Sequence, residues 1–133
     1  MLVLDELRYS GEHIWVRPEG DHTVTLGITD YAQLELGELN YVELPNEGDD
    51  LVYCEPFGSV ECAKLVTDLY APVCGKVTAV NRDVIDNPIL INYAPYKQGW
   101  IIRAKLFMLD ELDKLMLADE YEEYILTRLT STS

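Results

Sequence analysis

An alternation of apolar and polar residues with a period of two, punctuated by turn-forming residues, runs through the first two-thirds of this chain. Successive strand side chains point to opposite faces, so the pattern buries one face of a sheet and wets the other; a helix would spread it around its axis. The stretch "HIWVRPEGDHTVTLGIT" predicts strand, Pro-Glu-Gly-Asp turn, strand. "TDYAQLELG" predicts a short helix with Asp30 as N-cap, Gln33 three residues on, and Gly37 as its stop. "LNYVELP" resumes the strand pattern, and Pro45 with "NEGDD" forms a turn. "LVYCEPFGSVEC" and "LVTDLYAPV" are strands on either side of Lys64, and "GKVTAVN" is another. The mostly β region ends near Asn81, "DVIDNPILINYAPYKQG" reads as irregular, and "WIIRAKL" is a last strand. In "DELDKLMLADEYEEYILTRL", Leu112, Leu115, Met116, Tyr121, Tyr124 and Ile125 recur at helical spacing, which predicts one or two helices capping the sheets. The terminal "TSTS" reads as frayed.

With 133 residues, 48% of them hydrophobic, the chain can bury one core but not two, so residues 1–133 are expected to form a single domain. Ten Lys plus Arg against 24 Asp plus Glu leave a formal charge of -14. That charge repels phosphate backbones and anionic lipid heads, so neither nucleic acid nor a membrane is expected as a partner. It suits either encounter with basic surfaces of other proteins or plain solubility. The N-terminal "MLVLDELRYS" is acidic where a signal peptide is basic, and no apolar run approaches the ~20 residues that cross a bilayer. A cytoplasmic location is expected. Cys54, Cys62 and Cys74 show no Cys-x-x-Cys spacing, and His13 and His22 are the only histidines. No metal site is expected, and the thiols are either buried small apolar groups or free reactive ones.

Lys64 is one of five lysines in the chain. A chain that rises through "GSVEC" and returns through "LVTDL" turns around Ala63 and Lys64, and a tight turn projects its central side chain into solvent. Such a lysine is either a solubilising turn residue or the target of an acylating enzyme, which needs an exposed amine on a rigid hairpin. Its acidic neighbours Glu61 and Asp68 accord with the second reading.

"HIWVR", "VTLGITDYAQLELGELNYVELP", "FGSVECAK", "DLYAPVCGKVTAVN", "NPILIN" and "PYKQGW" together resemble, in order, the glycine cleavage system H protein family over nearly the whole chain. The resemblance implies a mostly β fold of the lipoyl-domain kind, a barrel-sandwich hybrid of two antiparallel sheets with a short internal helix and C-terminal helices. It implies lipoate amide-linked to Lys64, with Glu61, Cys62 and Asp68 around the arm. The family's proteins are non-catalytic carriers. Their arm is attached by lipoate-attachment enzymes, takes an aminomethyl group from glycine decarboxylase, passes the carbon on at an aminomethyltransferase, and is reoxidised by dihydrolipoamide dehydrogenase.

The chain departs from the family in places that bear on this role. Where the family has His-Glu-Trp-Val, with the Glu helping to hold the amine of the loaded arm, this chain has Ile14. Glu12, two residues earlier, is expected on the same strand face as Ile14 and is the candidate replacement. Cys62 and Cys74 stand at usual serine positions, and Ala94 replaces an Asp. Each change on its own is compatible with drift. Together, a lost amine contact and two gained thiols favour a resemblance to the H-like lipoate-binding proteins of heterodisulfide-reductase-like sulfur oxidation, whose partner would be that reductase-like complex. The alternative is a carrier of glycine cleavage proper; a binding module without the arm is disfavoured by the intact Lys64 hairpin.

Overall fold

The computed structural model describes residues 1–130, so the last three residues of the terminal "TSTS" lie outside it. Along the chain come β1 (Arg8–Tyr9), β2 (Ile14–Gly20), β3 (Thr23–Ile28), α1 (Asp30–Leu36), β4 (Leu39–Glu43), β5 (Asp50–Leu51), β6 (Pro56–Cys62) and β7 (Val66–Tyr70). They are followed by β8 (Gly75–Val80), α2 (Arg82–Asp86), α3 (Ile89–Tyr93), β9 (Ile102–Leu106), a 3₁₀ helix (Leu109–Lys114) and α4 (Ala118–Thr130). The strands form two antiparallel sheets, one of six in the order β1-β2-β3-β9-β8-β5 and one of three in the order β4-β6-β7. The main core lies between them and takes Val16, Leu26 and Ile102 from one sheet and Val42, Val60 and Leu69 from the other. The expected sandwich with a short internal helix and C-terminal helices is therefore the observed one.

Local details differ from the expectations, each for a physical reason. The β2–β3 turn is at Asp21 and His22, both with positive φ (52° and 62°), whereas Pro18 and Gly20 belong to β2. Paired left-handed residues match the twist of a two-residue hairpin, and β1 is only two residues long, so it leaves the outer edge of β2 free where Pro18 has no N–H to give. The cap of α1 is Thr29 rather than Asp30: its hydroxyl accepts from the Ala32 N–H at 3.3 Å. Asp30 instead accepts from the Leu2 N–H and the Gln33 amide, both at 2.7 Å. The stretch "LVYCEPFGSVEC" is two strands with a corner at Val52–Glu55, where Cys54 has φ 67° and the chain passes from the larger sheet to the smaller. The region expected to be irregular contains α2 and α3, five residues each and too short to show a helical period. Asn81 anchors it, capping α2 at the Asp83 N–H and donating to the carbonyls of Gln98 and Trp100 at 2.9 and 2.7 Å.

A second core covers the opposite face of the larger sheet. Alternation along β2 sends Ile14 and Val16 into the main core and Trp15 into this second one, with Leu7, Tyr9, Tyr96, Tyr121 and Ile125. Trp15 lies opposite Gly27 in the β2–β3 register and donates its indole N–H to the Pro95 carbonyl at 2.9 Å. The Tyr9 and Tyr121 rings stack at 4.5 Å, and Tyr9 exchanges two backbone hydrogen bonds with Met116, which ties the start of the chain to α4.

His13 joins this layer to β2 and has φ 67°. Its Nδ1 lies 2.8 Å from the Tyr121 hydroxyl, which lies 2.7 Å from Thr29 Oγ1. With Nδ1 of a neutral imidazole as the acceptor, the Tyr121 hydroxyl donates to it and accepts from Thr29, which also accepts from Ala32. Burial, aided by the Arg128 charge, pushes His13 down to about 4.

Two outcomes are expected. A Cβ on Gly27 would lie 2.4 Å from the Trp15 indole, so Gly27→Ala should destabilise the fold by about 2–3 kcal/mol in urea unfolding. His13 binds a proton near pH 6.5 when unfolded but only near pH 4 when folded, so stability should fall as pH drops through that window. Its share, discounted for solvent at its partly exposed edge, is about 2 kcal/mol and should vanish in His13→Asn, whose side chain tolerates the left-handed backbone.

Candidate functional site

The site is built on the β6–β7 hairpin. Glu61 pairs with Val66, the Cys62 N–H donates to the Leu65 carbonyl at 3.0 Å, and Ala63 and Lys64 stand exposed at the tip. Below the tip, Cys62 is 7% exposed and packs into the main core, so the turn is pinned from beneath. Two ion pairs occur among the described residues, Lys76–Asp50 and Lys105–Asp21, and neither involves Lys64. Across the solvent face of the smaller sheet run the rows Tyr41–Glu61–Val66 and Glu43–Ser59–Asp68. The lysine is therefore an unpaired amine on a fixed hairpin bordered by carboxylates.

Lys64 borders a depression of about 510 Å³ whose far wall is the end of α1 and the following residues, Leu34 to Glu38. Beside it a cleft of about 690 Å³ opens between α1 and β7. Tyr31, Ala32, Glu35 and Leu36 form one wall, at the i, i+1, i+4, i+5 spacing of a single helix face, and Leu65 to Tyr70 form the other. Ile14 and Ile28, each 1% exposed, make the floor, and Glu12 and His13 also line the cleft. Leu36 and Glu35 border both the cleft and the Lys64 depression. Apolar walls carrying the carboxylates Glu12, Glu35 and Asp68 suit a flexible hydrocarbon arm that ends in a cation.

The pH behaviour of the walls fits that occupant. A neutral His13 puts no positive charge against an incoming ammonium. The Tyr31 hydroxyl is pushed up, first by burial and then by the neighbouring Glu35 carboxylate.

The sequence-predicted residues are not all brought together. Lys64, Glu61 and Asp68 share the hairpin; Glu61 and Asp68 lie on its outer face, and Asp68 also borders the cleft. Cys62 adjoins Lys64 in sequence but faces the core, its thiol 3.7 Å from the Leu65 carbonyl. Glu12 does line the cleft with Ile14, but not by strand alternation: β2 begins at Ile14, and Glu12 and left-handed His13 belong to the turn before it. Cys74 lies beyond the end of the hairpin where Pro56 pairs with Tyr70, opposite the Lys64 end. Its sulfur accepts from the Tyr53 N–H at 3.4 Å and its N–H donates to Glu111 at 2.9 Å, so it serves as a joint to the 3₁₀ helix. The three thiols are free and do not gather around the arm position. Tyr31 and Glu35 were not anticipated; their helical spacing was readable, but not that this helix face borders β7. Among the described residues no cluster of His, Cys, Asp or Glu is placed to hold a metal ion, and no helix is long and apolar enough to cross a membrane.

Comparison with known proteins bears on the identity of this arrangement. The family model described as Glycine cleavage H-protein matches residues 7–128. The glycine cleavage system H protein of Staphylococcus carnosus (strain TM300) is 50% identical over 125 residues, covering 94% of this chain and 98% of that protein. That of Brevibacillus brevis (strain 47 / JCM 6285 / NBRC 100599) is 53% identical over 119 residues, covering 90% and 94%. The crystal structure of a glycine cleavage system H protein from Mycobacterium marinum superposes with a TM-score of 0.82 at 32% identity, covering 91% of this chain and 97% of that one. With a family match from before β1 into α4, relatives at half identity along nearly their whole length, and the same two-sheet fold, the chain belongs to the glycine cleavage H-protein family.

Proposed function

We propose that this chain, acting as one carrier domain over residues 1–133, is a lipoyl carrier of the glycine cleavage system and bears its arm on Lys64. Members of the family carry lipoate covalently on a lysine. The observation that carries the assignment to Lys64 is its place: an exposed amine without an ion pair among the described residues, at the tip of a hairpin pinned by buried Cys62 and beside an apolar cleft.

The dithiolane, when attached, supplies reversible thiol chemistry and a group-carrying sulfur. The chain's own residues do the rest. The β6–β7 ladder holds the tip in one orientation, so the amine reaches an attachment enzyme without first ordering a loop. Acylation removes the only nearby positive charge on the hairpin and leaves Glu61, Glu43 and Asp68 on its outer face, an acidic surface for basic sites on glycine decarboxylase, aminomethyltransferase and dihydrolipoamide dehydrogenase. The cleft walls shelter the arm between visits, and the domain itself catalyses no step. Free cysteines accord with a reducing cytoplasm.

The sulfur-oxidation reading finds no support in the relatives, which are H proteins of glycine cleavage. Its physical argument weakens as well, because Cys62 is buried and Cys74 sits at the opposite end of the hairpin.

Protein made in a lipoylating host should carry the lipoyl mass on the Lys64 peptide; finding it on Lys76, Lys97, Lys105 or Lys114 would refute the assignment. Lys64→Arg keeps charge and exposure, so its unfolding free energy should stay within about 0.5 kcal/mol of the parent's while carrier function in a reconstituted glycine assay is lost. Cys62→Ser and Cys74→Ser, lipoylated, should support glycine decarboxylation at the parental rate. Loss of that activity in either, with the fold intact, would return the thiols to the mechanism.

A further inference from the structure

The position at which the family holds the amine of the loaded arm is occupied here by Ile14, and Ile14 is core: it is 1% exposed and packs between the sheets. Isoleucine supplies no carboxylate from that point, so an ammonium entering the cleft must find its counter-charge on another wall. Three carboxylates line the cleft. Asp68 is on the outer face of β7 and also borders a separate depression with Glu43, Asp49 and Asp50, where it is shared among acids. Glu12 lies in the turn before β2 and does not border the Lys64 depression. Glu35 alone of the three also borders the Lys64 depression, and so lies where an arm leaving Lys64 enters the cleft.

We infer that Glu35 is the positioning residue that receives the ammonium of the amine-loaded arm in this chain, taking over the task that Ile14 cannot perform. This rests on the carrier reading above. Glu35 has no ion pair among the described residues, so its charge is available. Tyr31, one helical turn earlier on the same face, lines the cleft beside it. Ile14 and Ile28 below keep water from the floor, which strengthens a charge pair formed above them.

The test uses the lipoylated, reduced full chain loaded without any partner enzyme. One arm thiol condenses with formaldehyde and ammonia to give the S–CH₂–NH₂ adduct and one water, and hydrolysis of the adduct releases the same formaldehyde and ammonia. The lifetime of the adduct, followed by formaldehyde release, should shorten about tenfold in Glu35→Gln, a factor equal to ~1.4 kcal/mol. Glutamine keeps the size of the side chain and the helix, so the loss reports the charge. Glu12→Gln and Asp68→Asn, which remove the other cleft carboxylates, should each shorten it less than Glu35→Gln does. In protein with ¹³C-labelled glutamate side chains, the Glu35 carboxyl resonance should move on loading while that of Glu12 stays. An unchanged lifetime in Glu35→Gln, or a shortened one in Glu12→Gln or Asp68→Asn alone, would overturn the inference and leave the carrier reading standing. A chain that takes no lipoate on Lys64 would overturn both.

Discussion

The first half of β2, Ile14 to Val16, is buried on both faces, and the rest of the molecule is arranged to keep it so. Ile14 and Val16 enter the core between the sheets while Trp15 enters the aromatic layer beneath α4, and this requires two separate packings in register along one strand. Gly27 across from Trp15 is the condition for it, since any side chain there would occupy the space of the indole. A slip by one residue would put Trp15 into the inter-sheet core and Ile14 into a layer of tyrosines. The left-handed turn at His13 lets the chain enter β2 at this register, and the hydrogen-bonded run from Thr29 through Tyr121 to His13 secures that turn to α1 and α4.

The cleft is a by-product of that double packing. Fixing β2 fixes Ile14 as floor, and the same Thr29 that serves Tyr121 caps α1 and so sets the helix face that becomes the wall. The opposite wall comes from the other sheet, whose hairpin is pinned by Cys62 in the core. Lysine and cleft are thus positioned by the same core, which is what a carrier with a sheltered arm needs: a rigid frame around one long flexible chain.

Electrostatics divides the surface into tasks. The net charge of -14 leaves carboxylates on every side, yet those on the outer face of the smaller sheet and those lining the cleft differ in environment. Glu61 and Glu43 face open water, where a charge steers an encounter but holds little. Glu35 is exposed as well but borders the cleft, whose floor is the buried Ile14 and Ile28.

The two-sheet class and the hairpin carrying Lys64 were legible because they depend on local alternation and on turn chemistry, and the residues of "VECAK" and "PYKQGW" carried the family. Local reading also placed the helical residues Tyr121 and Ile125 correctly, since their spacing is a property of the segment itself. It misplaced the Asp30 cap and the Pro18 turn, where neighbours already satisfied, or left free, the backbone groups in question. It also gathered Cys62 and Cys74 around the arm because they are near Lys64 in sequence, whereas an antiparallel ladder carries the chain away from its tip and the strand's alternation turns Cys62 inward. Sequence by itself determined that a lysine would be displayed on a β hairpin. Only the tertiary structure decided what lies beside it, because the cleft walls come from segments more than 25 residues apart, and no local pattern records which face of α1 will meet β7 across a shared core.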